Sequence, residues 1–173
     1  MNMKAAFGIT TLGAALLVAG QGFAQTPNPL DVVPEKMPFD IPYGAPITLE
    51  RADAILTAAL AEAKKREWKM NCAVVDSGAN LVSFKRQDGA QLASIDIGIH
   101  KARAAAKFRR ETKVLENAVQ GGNTYVVTLD DVVASRGGIP LVEAGKMIGA
   151  IGCSGGTGSQ DEVIAKVGAA MVK

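Results

Sequence analysis

The sequence predicts a mixed α/β domain of the α+β kind, with helices covering a mainly antiparallel sheet. Three observations carry this. Segments with apolar residues at three-four spacing alternate with short apolar or alternating runs. Hairpin-sized links join neighbouring strand segments, which makes most of the pairing antiparallel. Aromatic residues are only 5% of the chain and small residues are abundant. The core must therefore come from Ala, Val, Ile and Leu in closely packed elements.

The first 24 residues read as a removable secretory signal rather than as part of that domain. Lys4 supplies a positive start, Ala5 to Ala19 an uncharged apolar run, and Gly22-Phe23-Ala24 small residues at the positions a signal peptidase inspects. Cleavage after Ala24 leaves Gln25 first. A membrane anchor needs about 20 predominantly apolar residues, and this run is shorter and broken by Thr10, Thr11 and glycines. The expected location is periplasmic or secreted. The remainder suits one domain of about 100–150 residues. A net charge of +2 gives no reason to expect a nucleic-acid partner.

Residues 25–46 hold Pro27, Pro29, Pro34, Pro38, Pro42 and Pro46, which excludes regular helix or central strand. This is an extended arm, either a tether or a strap over a neighbouring subunit. Thr48 is an N-cap with Glu50 in the first turn, and Leu49, Ala52, Leu56, Ala59, Leu60 and Ala63 give the helix its apolar stripe. Lys69 to Asp76 reads as a buried strand, Ser77 to Asn80 as a turn, and Leu81 to Arg86 as the second arm of a hairpin. Ile95, Ile99, Ala102 and Ala106 mark a helix from about Ala93 to Phe108, and a short helix follows Thr112 and stops at Gly121-Gly122. Tyr125 to Leu129, Ile139 to Glu143 and Lys146 to Cys153 are three further strands. A last helix begins near Gln160. Ser159 and Glu162 form its capping box, and Val163, Ile164, Val167 and Met171 its inner face.

Several segments in this order resemble one family. They are Ala73-Val74-Val75-Asp76-Ser77-Gly78-Ala79-Asn80-Leu81-Val82-Ser83-Phe84, Asp88-Gly89-Ala90, and Ala93-Ser94-Ile95-Asp96-Ile97 with Lys101-Ala102-Arg103. Phe108-Arg109-Arg110-Glu111-Thr112, Gly137-Gly138-Ile139-Pro140 and Ile148 to Thr157 follow, and Gln160-Asp161-Glu162 closes the set. Together they resemble the GlcG/HbpS family of haem-binding-type proteins from about Ile47 to the C-terminus. The resemblance implies a profilin-like three-layer sandwich, a five-stranded antiparallel sheet flanked by helices, and assembly into homo-oligomers. It also implies haem binding for exported members, with haem degradation, iron binding and a sensor-protein partner among their associations. Other members stand beside carboxylate-utilisation enzymes. In such a sheet the first and last strands are antiparallel neighbours. Cys72 and Cys153 then lie at the same edge, either bridged or as two buried thiols.

Haem needs an apolar slot, cations for its propionates and usually an axial ligand. His100 is the sole histidine, either that ligand or an unremarked helix residue. The resemblance places Thr112 near the haem; its own sequence context makes it an N-cap. Lys101, Arg103, Lys107, Arg109, Arg110 and Lys113 concentrate positive charge, either for propionates or a small acid, or as a solvated or intersubunit face. Ser154, Gly155, Gly156 and Thr157 precede a helix N-terminus that suits an anion, or form a plain strand-to-helix link. No metal signature is present, and no catalytic set can be assigned from one histidine. The expected function is an exported protein that sequesters or senses haem or a related ligand. The alternative is a small-carboxylate-binding enzyme or accessory factor.

Overall fold

The structure, a computed structural model, describes residues 32–172. The signal-peptide reading of residues 1–24 and the first part of the arm lie outside the described residues. The domain treated below is the unit that begins at Lys36.

Helix α1 (Leu49–Lys65) starts where expected: the Arg51 N–H donates to the Thr48 hydroxyl, and Ala52, Ile55, Leu56, Ala59 and Ala63 are buried. Strand β1 (Asn71–Asp76) is buried from Asn71 to Val75, as a central strand covered on both faces must be. Its hairpin partner β2 (Leu81–Arg86) follows a turn in which Asp76 Oδ1 accepts from the Gly78 and Asn80 N–H groups at 2.8 and 2.9 Å. Helices α2 (Ser94–Phe108) and α3 (Thr112–Gln120) come next, then strands β3 (Gly138–Glu143) and β4 (Lys146–Ser154) and helix α4 (Gly158–Ala169).

The sheet has four strands in the order β2-β1-β4-β3, all antiparallel. The fifth strand expected at Tyr125–Leu129 is instead a 3-10 helix over Thr124–Thr128. Only Val126 of that segment is buried, while Tyr125, Val127 and Leu129 stay exposed, so period-two burial has no sheet to face. Helices α1 and α4 cover one sheet face through a core that includes Ile55, Leu56, Val74, Ile151 and Ile164. Helix α2 covers the other through Ala102, Ala105 and Ala106 against Ala73, Val75 and Ala150. A Cβ on Gly152 would fall 2.2 Å from the Gly98 carbonyl oxygen and 2.3 Å from the Ala102 nitrogen. Helix and strand backbones thus touch, which is what a core poor in aromatics requires.

Cys72 stands directly opposite Cys153 in the β1–β4 register, and the two form a disulfide in the α1/α4 core. The end of the arm lies on its own domain. Met147 N–H donates to the Pro42 carbonyl, Gly44 N–H to the Met147 carbonyl and Ile47 N–H to the Ile148 carbonyl. β1 pairs with β4 only from Gly149 onward, so the arm takes the backbone positions that β1 leaves free.

Two local readings are corrected. The capping box of α4 is Thr157 with Gln160, two residues before the Ser159–Glu162 pair. That register turns Asp161, Ile164, Ala165 and Gly168 inward and leaves Val163 and Met171 exposed. Thr112 is the first residue of α3 rather than its cap; Glu111 holds the N-cap position.

Candidate functional site

Helix α2 presents its charged residues on two sides. Toward the protein, Lys101 is 1% exposed and its Nζ lies 2.7 Å from Asp161 Oδ2. Asp161 Oδ1 accepts from the Gly156 N–H at 3.0 Å. A lysine this deep is tolerated only when paired. Burial pushes the Asp161 carboxyl above its ordinary range, against the opposing pull of Lys101. Gly137, at φ 119°, makes room for the pair. A Cβ there would sit 2.8 Å from both the Asp161 Cβ and the Cys153 carbonyl oxygen, and few L residues adopt this backbone.

Next to this pair, Thr112 is fully buried and its hydroxyl accepts the Gly138 N–H at 2.9 Å. That bond ties α3 to the start of β3. Replacing Thr112 by Val keeps the shape but orphans a buried N–H. We expect a loss of about 1–3 kcal/mol, read from the shift of the urea midpoint.

Toward solvent, His100 and Arg103 line a cavity of 220 Å³ with Asp131, Val132 and Val133. Their i, i+3 spacing places both on one helix face. Asp131 is ion-paired with Lys107, so its charge is matched before anything enters.

The rest of the basic cluster is occupied within the fold. Arg109 adopts the left-handed conformation that ends α2 and donates to the Ile41 carbonyl at 3.2 Å. Arg110 covers the Phe39 ring, and burial pulls its guanidinium below its ordinary value, with Arg109 adding repulsion. Lys113 reaches Glu162 at 3.3 Å. The glycine-rich turn is similarly committed. Ser154 donates to Ser94, Gly156 N–H goes to Asp161, and Thr157 N–H goes to Gln160 Oε1. Gly155 packs so closely on the Lys69 carbonyl that a Cβ would lie 2.2 Å from it. An anion at this helix start would have to displace bonds already made. Among the described residues no group of three or more His, Cys, Asp or Glu converges as a metal site.

Residues 47–170 match the family described as haem degrading protein HbpS-like. The chain belongs to this HbpS-like family. Protein GlcG of Escherichia coli K12 is 40% identical over 108 residues, covering 62% of this chain and 81% of GlcG. An uncharacterized 15.0 kDa protein from Citrobacter freundii is 37% identical over 126 residues, 70% of this chain and 89% of that protein. Among solved structures, HbpS superposes with a TM-score of 0.71 at 27% identity over 80% of this chain and 98% of HbpS. A complex of PduOC with haem gives 0.68 at 26% identity over 75% of this chain and 96% of PduOC.

In this HbpS-like chain the readings from sequence separate cleanly in space. His100 and Arg103 share one cavity. Thr112 is sealed inside. Arg109 and Arg110 hold the arm. The Lys101–Asp161 pair and the Glu116–Arg136 pair, at 2.7 Å, were not singled out from sequence. Their one advance signal is a lysine on the small-residue side of a helix, where a charge needs a buried partner. The Arg136 hydrogen bond holds the Glu116 carboxyl below its usual range.

Proposed function

We propose that this HbpS-like chain is an exported haem-binding protein, periplasmic or secreted, that sequesters or senses haem as a homo-oligomer. The observation that carries the reading is the likeness, over most of the domain, to PduOC in its complex with haem, within a family described by haem degradation.

The residues of the α2 cavity fit the group. His100 offers an imidazole, a regular haem-iron ligand, and its neighbour Arg103 offers a guanidinium suited to a propionate. Val132 and Val133 give an apolar wall, and the Lys107–Asp131 pair keeps the rim near neutral. At 220 Å³ the cavity is smaller than the ~300–1,000 Å³ typical of enclosing ligand sites. A haem held by these residues would be only partly enclosed, the remainder left to solvent or to a second subunit. When bound, haem would supply the iron and redox chemistry; this chain's own part is to ligate, neutralise and shield. Export is supported by the signal-like N-terminus and by a cysteine pair placed to be oxidised.

Titrating haem into the mature protein should raise a Soret band that a His100→Ala variant loses, while Thr112→Val retains it. A wild-type protein without a band sinks the reading. An unaltered band in His100→Ala moves the ligand elsewhere. N-terminal sequencing of protein from the periplasm or medium should begin at Gln25.

A further inference from the structure

A second cavity, of 610 Å³, lies where α1 ends and β2 finishes, lined by Lys64, Glu67, Trp68, Lys69, Arg86 and Asp88 around Gln87. It is an open groove, with Lys64, Glu67, Lys69, Arg86 and Asp88 exposed and Trp68 and Gln87 half-buried, and its volume suffices for a small organic ligand lying against the surface. Its base is fixed in advance. Gln87 Oε1 accepts the Met70 N–H at 2.8 Å, Gln87 Nε2 donates to the Leu60 carbonyl, and the Gln87 N–H donates to the Met70 carbonyl. Trp68 packs partly on the core, with the Arg66 guanidinium 5.1 Å from its ring centroid. Lys69 crosses the Asp88–Gly89 turn so closely that a Cβ on Gly89 would meet its Nζ at 2.9 Å.

The residue at position 67 argues for a ligand. Glu67 follows the end of α1 at φ 57°, with the Trp68 N–H bonded to the Ala63 carbonyl. Glycine is the favoured residue in this left-handed helix-terminating position. A glutamate there costs stability, and Glu67 is one of the residues that line the cavity. Around it stand three cations and one more acid, an arrangement that complements a ligand with an anionic end and a hydrogen-bond donor.

We propose that this cavity binds a planar aromatic carboxylate bearing a hydroxyl or amino donor. The ring lies against Trp68, the carboxylate meets Lys69 and Arg86, and the donor faces Glu67. The proposal does not rest on the haem reading, since no histidine lines this cavity.

Trp68 is the chain's only tryptophan, so its indole N–H gives one cross-peak in a ¹⁵N-correlated spectrum of the mature protein. Titration with 4-hydroxybenzoate should move that peak saturably. Cyclohexanecarboxylate should bind at least about tenfold more weakly, as should 4-hydroxybenzoate to the Lys69→Gln/Arg86→Gln variant. Glu67→Gly should weaken binding while raising the thermal midpoint, which separates lost recognition from lost folding. No saturable shift, or equal affinity in the charge variant, overturns the proposal. It is also overturned if haem moves the indole peak stoichiometrically in the His100→Ala protein, which would make the cavity a haem site.

Discussion

Replacing Lys101 by Met should cost the domain about 3–5 kcal/mol at neutral pH, the usual penalty for stranding one member of a buried ion pair. Nζ lies 2.7 Å from Asp161 Oδ2, and both side chains are almost wholly buried. Methionine fills the volume, so the loss is electrostatic rather than a cavity effect. Asp161 then keeps only backbone N–H groups, those of Gly156 and Gly155, to support its charge. Its pH dependence sets this deficit apart from a packing defect. Burial already holds the folded Asp161 carboxyl above its unfolded value. A raised carboxyl contributes stability that is complete below the unfolded pKa, about 3.9, and lost as pH rises through the folded pKa. Removing Lys101 withdraws the main pull in the other direction and raises the folded pKa further. The variant's deficit against wild type should therefore be smallest near pH 4 and grow toward neutrality, as read from urea midpoints across that range. A deficit independent of pH would show that the pair is not what Lys101 contributes. Adding Asp161→Leu should recover much of the loss, because no unpaired charge then remains.

That pair also lies beyond the reach of local sequence rules. The hairpin at Ala73–Phe84, the start of α1 at Thr48 and the extent of α2 follow from local rules: alternation, a cap, a small-residue stripe. Lys101 and Asp161 are 60 positions apart, so a lysine on the small-residue side of α2 signals at most that a buried partner is needed, not which residue supplies it. Tyr125–Leu129 departs from its expected strand for the opposite reason. Its β-branched and aromatic residues satisfy strand propensity, but the sheet ends at β3 and the segment closes through i, i+3 bonds, such as Val126 N–H to Asn123. At α4 two overlapping Ser/Thr-x-x-Glu/Gln registers compete. The one at Thr157 is the register in which Asp161 meets Lys101, and Glu162 meets Arg136 and Lys113.

The site was legible by inventory only. One histidine in the chain and an arginine three residues later name a helix face. That Val132, Val133 and Asp131 complete a cavity against that face depends on the path from the 3-10 helix to β3, which propensity did not describe. The arginines after Phe108 looked equally available. They are spent on the arm, whose prolines hide from local rules the fact that Ile41 to Ile47 has a docking edge on β4.

Breaking the Cys72–Cys153 link should lower stability by about 4.5 kcal/mol, the chain-entropy value for a cross-link of this span. The cysteines are 81 residues apart in sequence and fully buried. The bond joins the two central strands, so its loop contains β2, α2, α3 and β3. Reduced wild type and a Cys72→Ala/Cys153→Ala variant should both show the loss in denaturant midpoint, and their difference isolates the packing of the sulfurs. If the reduced wild type unfolds at the oxidised midpoint, the cross-link contributes nothing and the core alone holds β1 to β4. Because neither sulfur is exposed, reductant should act on the native protein only as fast as it unfolds. Produced in a reducing cytoplasm without residues 1–24, the domain should accumulate as the less stable dithiol and gain its full midpoint on oxidation.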